Sequence, residues 1–172
     1  PVPFCAVATD MMDGRVVVLD KGPLRPAVLA SCAIPGVAPP VEVNGSILID
    51  GGVVSIVPVD VALQRAQGPV VAVKVDRVVT CMPRPSRALE VFLRADDLQS
   101  WRITQLLLEK ADLVVRPNVG DGHWADFRQA PMFLEAGRTG ALAVWPELEK
   151  LAFPGPWERA RESLWGWKGQ GR

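Results

Sequence analysis

Residues 31–60, SCAIPGVAPPVEVNGSILIDGGVVSIVPVD, leave the chain few ways to fold. Pro35-Gly36 stops any helix that runs into it. Pro39-Pro40 then forces an extended path, because the residue before a proline is pushed out of the helical region. Asn44-Gly45 is a strong two-residue hairpin signal, and it lies between the short runs 41–43 and 46–49. The second arm of that hairpin delivers Asp50, and Gly51-Gly52 follow at once. A helix is predicted to start at Pro58 and to stop at Gly68, with proline at its beginning and glycine past its end, as helix termini prefer. A carboxylate at the end of an apolar strand, followed by two glycines, is how α/β folds present an acid to a crevice.

The rest of the chain reads as scaffold for that turn. Residues 4–9 suit a buried strand, Asp13-Gly14 a tight turn and residues 15–20 a second strand, so the first two strands are predicted to form an antiparallel hairpin. Residues 24–33 suit a helix that tolerates Pro26 in its first turn. Residues 69–76 and 112–116 read as further buried strands. Residues 87–94 and 98–110 read as two helices, with Leu89, Phe92 and Leu93 on one face of the first and Ile103, Leu106 and Leu107 together on the second. Residues 117–130 form a polar loop around His123 and Trp124, and residues 131–143 a helix. Alternation of strand, helix and strand predicts parallel pairing through helical crossovers. Two regions follow, 1–144 as the α/β part and 145–172 as a tryptophan-rich helical tail, where Trp157, Ala160 and Leu164 share a face.

Composition excludes several classes. Lys plus Arg and Asp plus Glu both number 19 in 172 residues, so the formal net charge is zero; with no long basic run, a nucleic-acid surface is not expected. No apolar run is long enough to span a bilayer and no leader is visible, so a cytoplasmic location is expected. Cys5, Cys32 and Cys81 lack metal-ligand spacing and read as small buried thiols in a reducing compartment. The single His123 cannot build a metal site and reads as a loop cap; neither metal nor cofactor is expected. The tail is expected to cover an edge of the domain, with peripheral docking at a membrane interface as the second reading of its tryptophans. The opening Pro1-Val2-Pro3-Phe4, without Met, points to an N-terminus further upstream.

An Asp-Gly pair alone is most often only a turn. Asp50 stands out because it follows an apolar strand, because the two glycines permit positive φ and close approach of another backbone, and because the facing loop is stiffened by proline. A carboxylate walled by apolar groups such as Ile34, Ile49 and Val53 suits a general base for a hydroxyl nucleophile.

The ordered series Ser31-Cys32-Ala33-Ile34-Pro35-Gly36, Pro39-Pro40, Gly45, Asp50-Gly51-Gly52 and Pro58-Val59-Asp60 resembles the second half of a patatin-like phospholipase. Ala8-Thr9-Asp10 with Gly14, Ala111-Asp112-Leu113-Val114 and Asp126-Phe127 are similar to the bacterial members of the neuropathy-target-esterase type. The resemblance covers about residues 1–142. It implies a partial three-layer α/β/α fold with a mixed, mainly parallel sheet, and a Ser-Asp dyad that needs no histidine. Asp50 would be the dyad acid, with Gly51, Gly52, Ile34, Pro35 and Gly36 as the accompanying motif residues. The implied substrates are phospholipids, lysophospholipids or simple acyl esters. The family's nucleophile sits in a G-x-S-x-G turn behind a glycine-rich oxyanion loop. Neither occurs here: Ser31, Ser46, Ser55, Ser86, Ser100 and Ser163 all lack the flanking glycines. The nucleophile half is therefore expected on an N-terminal segment absent from these residues, and residues 1–172 alone are expected to be inactive. The alternative is a truncated or inactive module that binds lipid or a protein partner. Lys74 replaces an acidic residue usual in the family and is expected to affect only the scaffold. Removing a central strand would leave apolar edges open, which predicts poor solubility or self-association.

Overall fold

The computed structural model describes residues 2–75, 85–120 and 125–153. His123, Trp124, Cys81, Ser163 and the tail tryptophans Trp157, Trp165 and Trp167 lie outside the described residues, as do the readings placed on them. The fold is mixed α/β. Its contacts divide the chain into one unit of residues 1–65 with 81–111 and another of 66–80 with 112–172.

In the first unit, β1 (Ala6–Asp10) and β2 (Val16–Leu19) form the predicted antiparallel hairpin. Gly14 at φ +74° makes the turn possible. β3 (Val41–Val43) and β4 (Ser46–Asp50) form the second hairpin, with Val43 paired to Ser46. Asn44 and Gly45 both take positive φ, 52° and 81°, the geometry that matches a two-residue turn to the twist of its strands. β1 also pairs antiparallel with β4, giving the order β2-β1-β4-β3.

Helix α1 (Leu24–Ser31) packs on this sheet. Ala8, Ala30 and Leu48 form a fully buried cluster ringed by Val17, Leu19, Val41 and Val43. All the strand residues of this set lie on one face, as the pairings Ala8 with Val17 and Val41 with Leu48 require. Two alanines at the contact let the helix axis lie close to the strands. The helix ends at Ser31, two residues before the predicted boundary. α2 (Val59–Arg65) starts after Pro58, with Asp60 in its first turn and Arg65 in its last, which suits the helix dipole. α3 (Ala88–Leu108) is one continuous helix of 21 residues where two were predicted. Glu90 accepts the backbone N–H groups of Ser86 and Arg87 and fixes its start. Lys110, just past its end, pairs with Asp60 at 2.8 Å.

In the second unit, β5 (Val71–Val73) and β6 (Leu113–Val115) pair in parallel. The Asp112 carboxylate accepts the Val70 N–H at 2.7 Å and sets the register. Lys74 is buried, and its N–H donates to the Val115 carbonyl. α4 (Ala130–Ala143) and α5 (Trp145–Ala152) follow. Pairing thus differs from the expected mainly parallel sheet: the described strands form a four-stranded antiparallel sheet and a two-stranded parallel one. Parallel pairing is found for β5 with β6, whereas β4 is held antiparallel between β1 and β3.

Candidate functional site

Asp50 is the last residue of β4, opposite Ala8 of β1. Its backbone N–H donates to the Ala33 carbonyl at 3.0 Å, tying the strand end to the segment that leaves α1. The side chain turns back on its own backbone: Oδ1 accepts the Gly52 N–H at 2.6 Å and so caps the 3₁₀ turn Gly51–Val53. No other hydrogen bond from a described residue reaches the carboxylate. The acid is half-buried, with one oxygen committed and the other available.

The two glycines act differently from each other. Neither has positive φ, so the expected conformational reason does not apply. Close approach does apply at Gly51, which is buried. A Cβ there would collide with the Val7 carbonyl, whose carbon would be 2.9 Å away. At Gly52 the nearest neighbour of such an atom is Oδ1 of Asp50 itself, at 3.0 Å. Gly51 therefore lets the turn sit against β1, while Gly52 supplies the N–H that holds the carboxylate.

A cleft of about 450 Å3 opens beside this turn. Asp50, Gly51 and Gly52 line it, together with Ser31 and Cys32 from the end of α1, Ser55 from the segment before α2, and the apolar Phe4, Val28 and Ile56. The apolar wall is thus not the expected one. Ile34, Ile49 and Val53 are absent from the lining, and Val53 is exposed. Ile34, Pro35 and Gly36 are also not in the lining. They form a tight turn, with Val37 and Ala38 N–H groups on the Ile34 carbonyl and Gly36 at φ +81°. Their link to the acid is through the neighbouring Ala33. Ser31 was read as part of a helix-end motif, and its place in the cleft could have been anticipated only from the pairing of β1 with β4.

The thiols also differ from expectation: Cys32 is exposed and Cys5 half-buried, and both line the cleft. Cys32 follows the buried Ala30 by two positions, which at helical spacing turns it away from the face that α1 packs on the sheet, so burial was not to be expected of it. Among the described residues no group of three His, Cys, Asp or Glu side chains could hold a metal ion. No described helix is long and apolar enough to cross a membrane.

Asp10, the last residue of β1, is a buried carboxylate. Its carboxyl is held below the usual range by the Met12 N–H above all, then by the Ser46 hydroxyl; burial opposes the shift, and Arg15 adds a smaller lowering. It ties the β1–β2 turn together and does not line the cleft.

Residues 8–63 match the family model described as Patatin-like phospholipase. An uncharacterized NTE family protein of Mycobacterium tuberculosis strain H37Rv is 50% identical over 58 residues, which cover 34% of this chain and 16% of that protein. A second NTE family protein of the same strain is 29% identical over 168 residues, covering 84% of this chain and 29% of its own length. A Mycobacterium bovis relative matches to the same extent. The chain spans less than a third of the length of these curated relatives. The segment matched by the family model holds α1, the second hairpin and Asp50 with its two glycines, so the likeness of this chain to patatin-like phospholipases and NTE family proteins falls on the residues that build the turn beside the cleft.

Proposed function

We propose that residues 1–172 form the acid-bearing part of a serine-dependent lipid acyl hydrolase. Asp50 is the base of a Ser-Asp dyad, and the serine belongs to a G-x-S-x-G turn carried by polypeptide outside these residues. One observation carries the reading: a half-buried carboxylate at a strand end that lines a cleft, fixed through Oδ1 by a backbone N–H, with no hydrogen bond from a described residue on its second oxygen. A base must be held in place and still have a lone pair to offer. The Asp50 carboxylate meets both conditions. In the reaction it takes the serine proton as the hydroxyl attacks an ester carbonyl. The alcohol leaves, and water, activated by the same carboxylate, releases the fatty acid from the acyl-enzyme. The substrates are phospholipids, lysophospholipids or simple acyl esters, met in the cytoplasm or at the surface of a membrane. The departure from the family pattern favours one other reading, a module that binds lipid or a protein partner without chemistry, since no serine here has the flanking glycines.

Hydrolysis of a short acyl ester separates the two. A longer polypeptide that includes the elbow should cleave it, and Asp50→Asn should lower kcat by at least about a thousandfold, as loss of the base of an activated nucleophile does. Residues 1–172 alone should show no turnover above buffer. Full activity of the Asp50→Asn variant would remove the dyad assignment.

A further inference from the structure

We propose that the exposed length of α3 is a pairing surface for a second copy of this chain, laid antiparallel and in register at Phe92. The buried residues of this helix, Thr104 and Leu108, both lie in its last two turns. Residues 88–99 are exposed, apart from the half-buried Arg94. Leu89, Phe92 and Leu93 recur at helical spacing on that exposed length and are 66%, 68% and 54% exposed. A helix takes most of its stability from the packing of such a stripe, and here the stripe is open to solvent.

The charges beside the stripe decide between occupants. Arg87, at the N-cap, and Glu90, Arg94 and Asp97 follow one another at spacings of three, four and three residues, so they line one flank of the helix. Their order, basic, acidic, basic, acidic, is its own complement when read backwards, and the spacing reads the same both ways. Two copies laid antiparallel with Phe92 against Phe92 therefore set Arg87 opposite Asp97 and Glu90 opposite Arg94, and the two-fold axis repeats both pairs. A parallel pair in register would set like charge against like. The antiparallel arrangement also brings Asp96 of one copy level with Ala88 of the other, at the positive end of its helix dipole. Leu89 and Leu93 then fill the seam on either side of the two Phe92 rings. A lipid surface makes no use of such an order of charges, whereas a second copy uses all of it.

The test is sedimentation equilibrium of the chain in an Ile47→Lys background, which charges the exposed face of the sheet and leaves α3 as it is. That background should form a dimer and nothing larger. Phe92→Lys should loosen the dimer about a hundredfold, because both copies lose the centre of the seam. Asp97→Arg should weaken it about tenfold, by setting like charges against each other in two places. Arg87→Asp combined with Asp97→Arg should recover the affinity of the background to within about twofold, since the swapped order is again its own complement. The side chains at 87, 92 and 97 are exposed, so the fold does not depend on them. A double variant as weak as Asp97→Arg alone would overturn the proposal. So would a monomeric background chain; binding to phosphatidylcholine vesicles that Phe92→Lys abolished would then give the stripe to lipid.

Discussion

Gly51 shows how one atom decides the placement of the acid. With a hydrogen where other residues carry a Cβ, the turn after β4 lies against the Val7 carbonyl. Gly51→Ala would have to push the turn away from β1 or bend the strand, because the opposing atoms are backbone. Overpacking of this kind costs about 1–3 kcal/mol. A urea melt should therefore show a lower midpoint for Gly51→Ala with an unchanged slope. Gly52→Ala, where the nearest atom belongs to the Asp50 carboxylate, should cost less stability and disturb the acid more. The sequence carried part of this. A carboxylate followed by two glycines at a strand end was legible, as was the need for close approach. Which backbone approaches was not, since Val7 lies 44 positions away and is brought there by the pairing of β1 with β4. The apolar wall was misplaced for the same reason: Phe4 and Val28 are near Asp50 only once the sheet exists.

At the scale of elements, the β1–β2 hairpin depends on Asp10. Its carboxylate accepts the Met12 N–H at 3.0 Å and reaches Arg15 at 3.2 Å, while its main chain closes the turn through Arg15 and Gly14. The Arg15 side chain is largely exposed, so that ion pair is worth little and the backbone contact matters most. Because the folded form holds this carboxyl below its ordinary value, of about 3.9 in an unfolded chain, its contribution is fully present above that pH. It is lost as the pH falls further, through the lowered folded value. Stability measured from pH 6 to pH 2 should fall more steeply below about 4 in wild type than in Asp10→Asn. Equal slopes would show that Asp10 adds nothing. Both hairpins were legible because turn chemistry is local. Helix α3 was split in two because Ala95-Asp96-Asp97 interrupts the apolar pattern. Yet no glycine or proline lies between Ala88 and Leu108, and nothing in the backbone forces a stop. Strand partners were least legible, since pairing is a property of distant segments.

At the scale of the whole molecule, the described residues leave much apolar surface exposed. Val16 and Ile47 lie on the sheet face opposite the Ala8–Leu48 cluster and are exposed, and Leu89, Phe92 and Leu93, which sequence placed on one helical face, are all more than half exposed. Exposed apolar residues grouped in this way mark surfaces that associate. At micromolar concentration the chain should self-associate, with a mass by light scattering that rises with concentration. Replacing Ile47 and Phe92 with lysine should return it toward a single species. A monodisperse wild-type monomer with a cooperative melt would contradict this.

The hydrogen bond from Gly52 to Oδ1 also decides how ready Asp50 is before anything reaches it. It ties the carboxylate to its own strand end, so whatever arrives at Oδ2 meets an acceptor whose rotation is already stopped. An untethered carboxylate would give up that freedom at the moment of encounter; here the fold has settled it in advance.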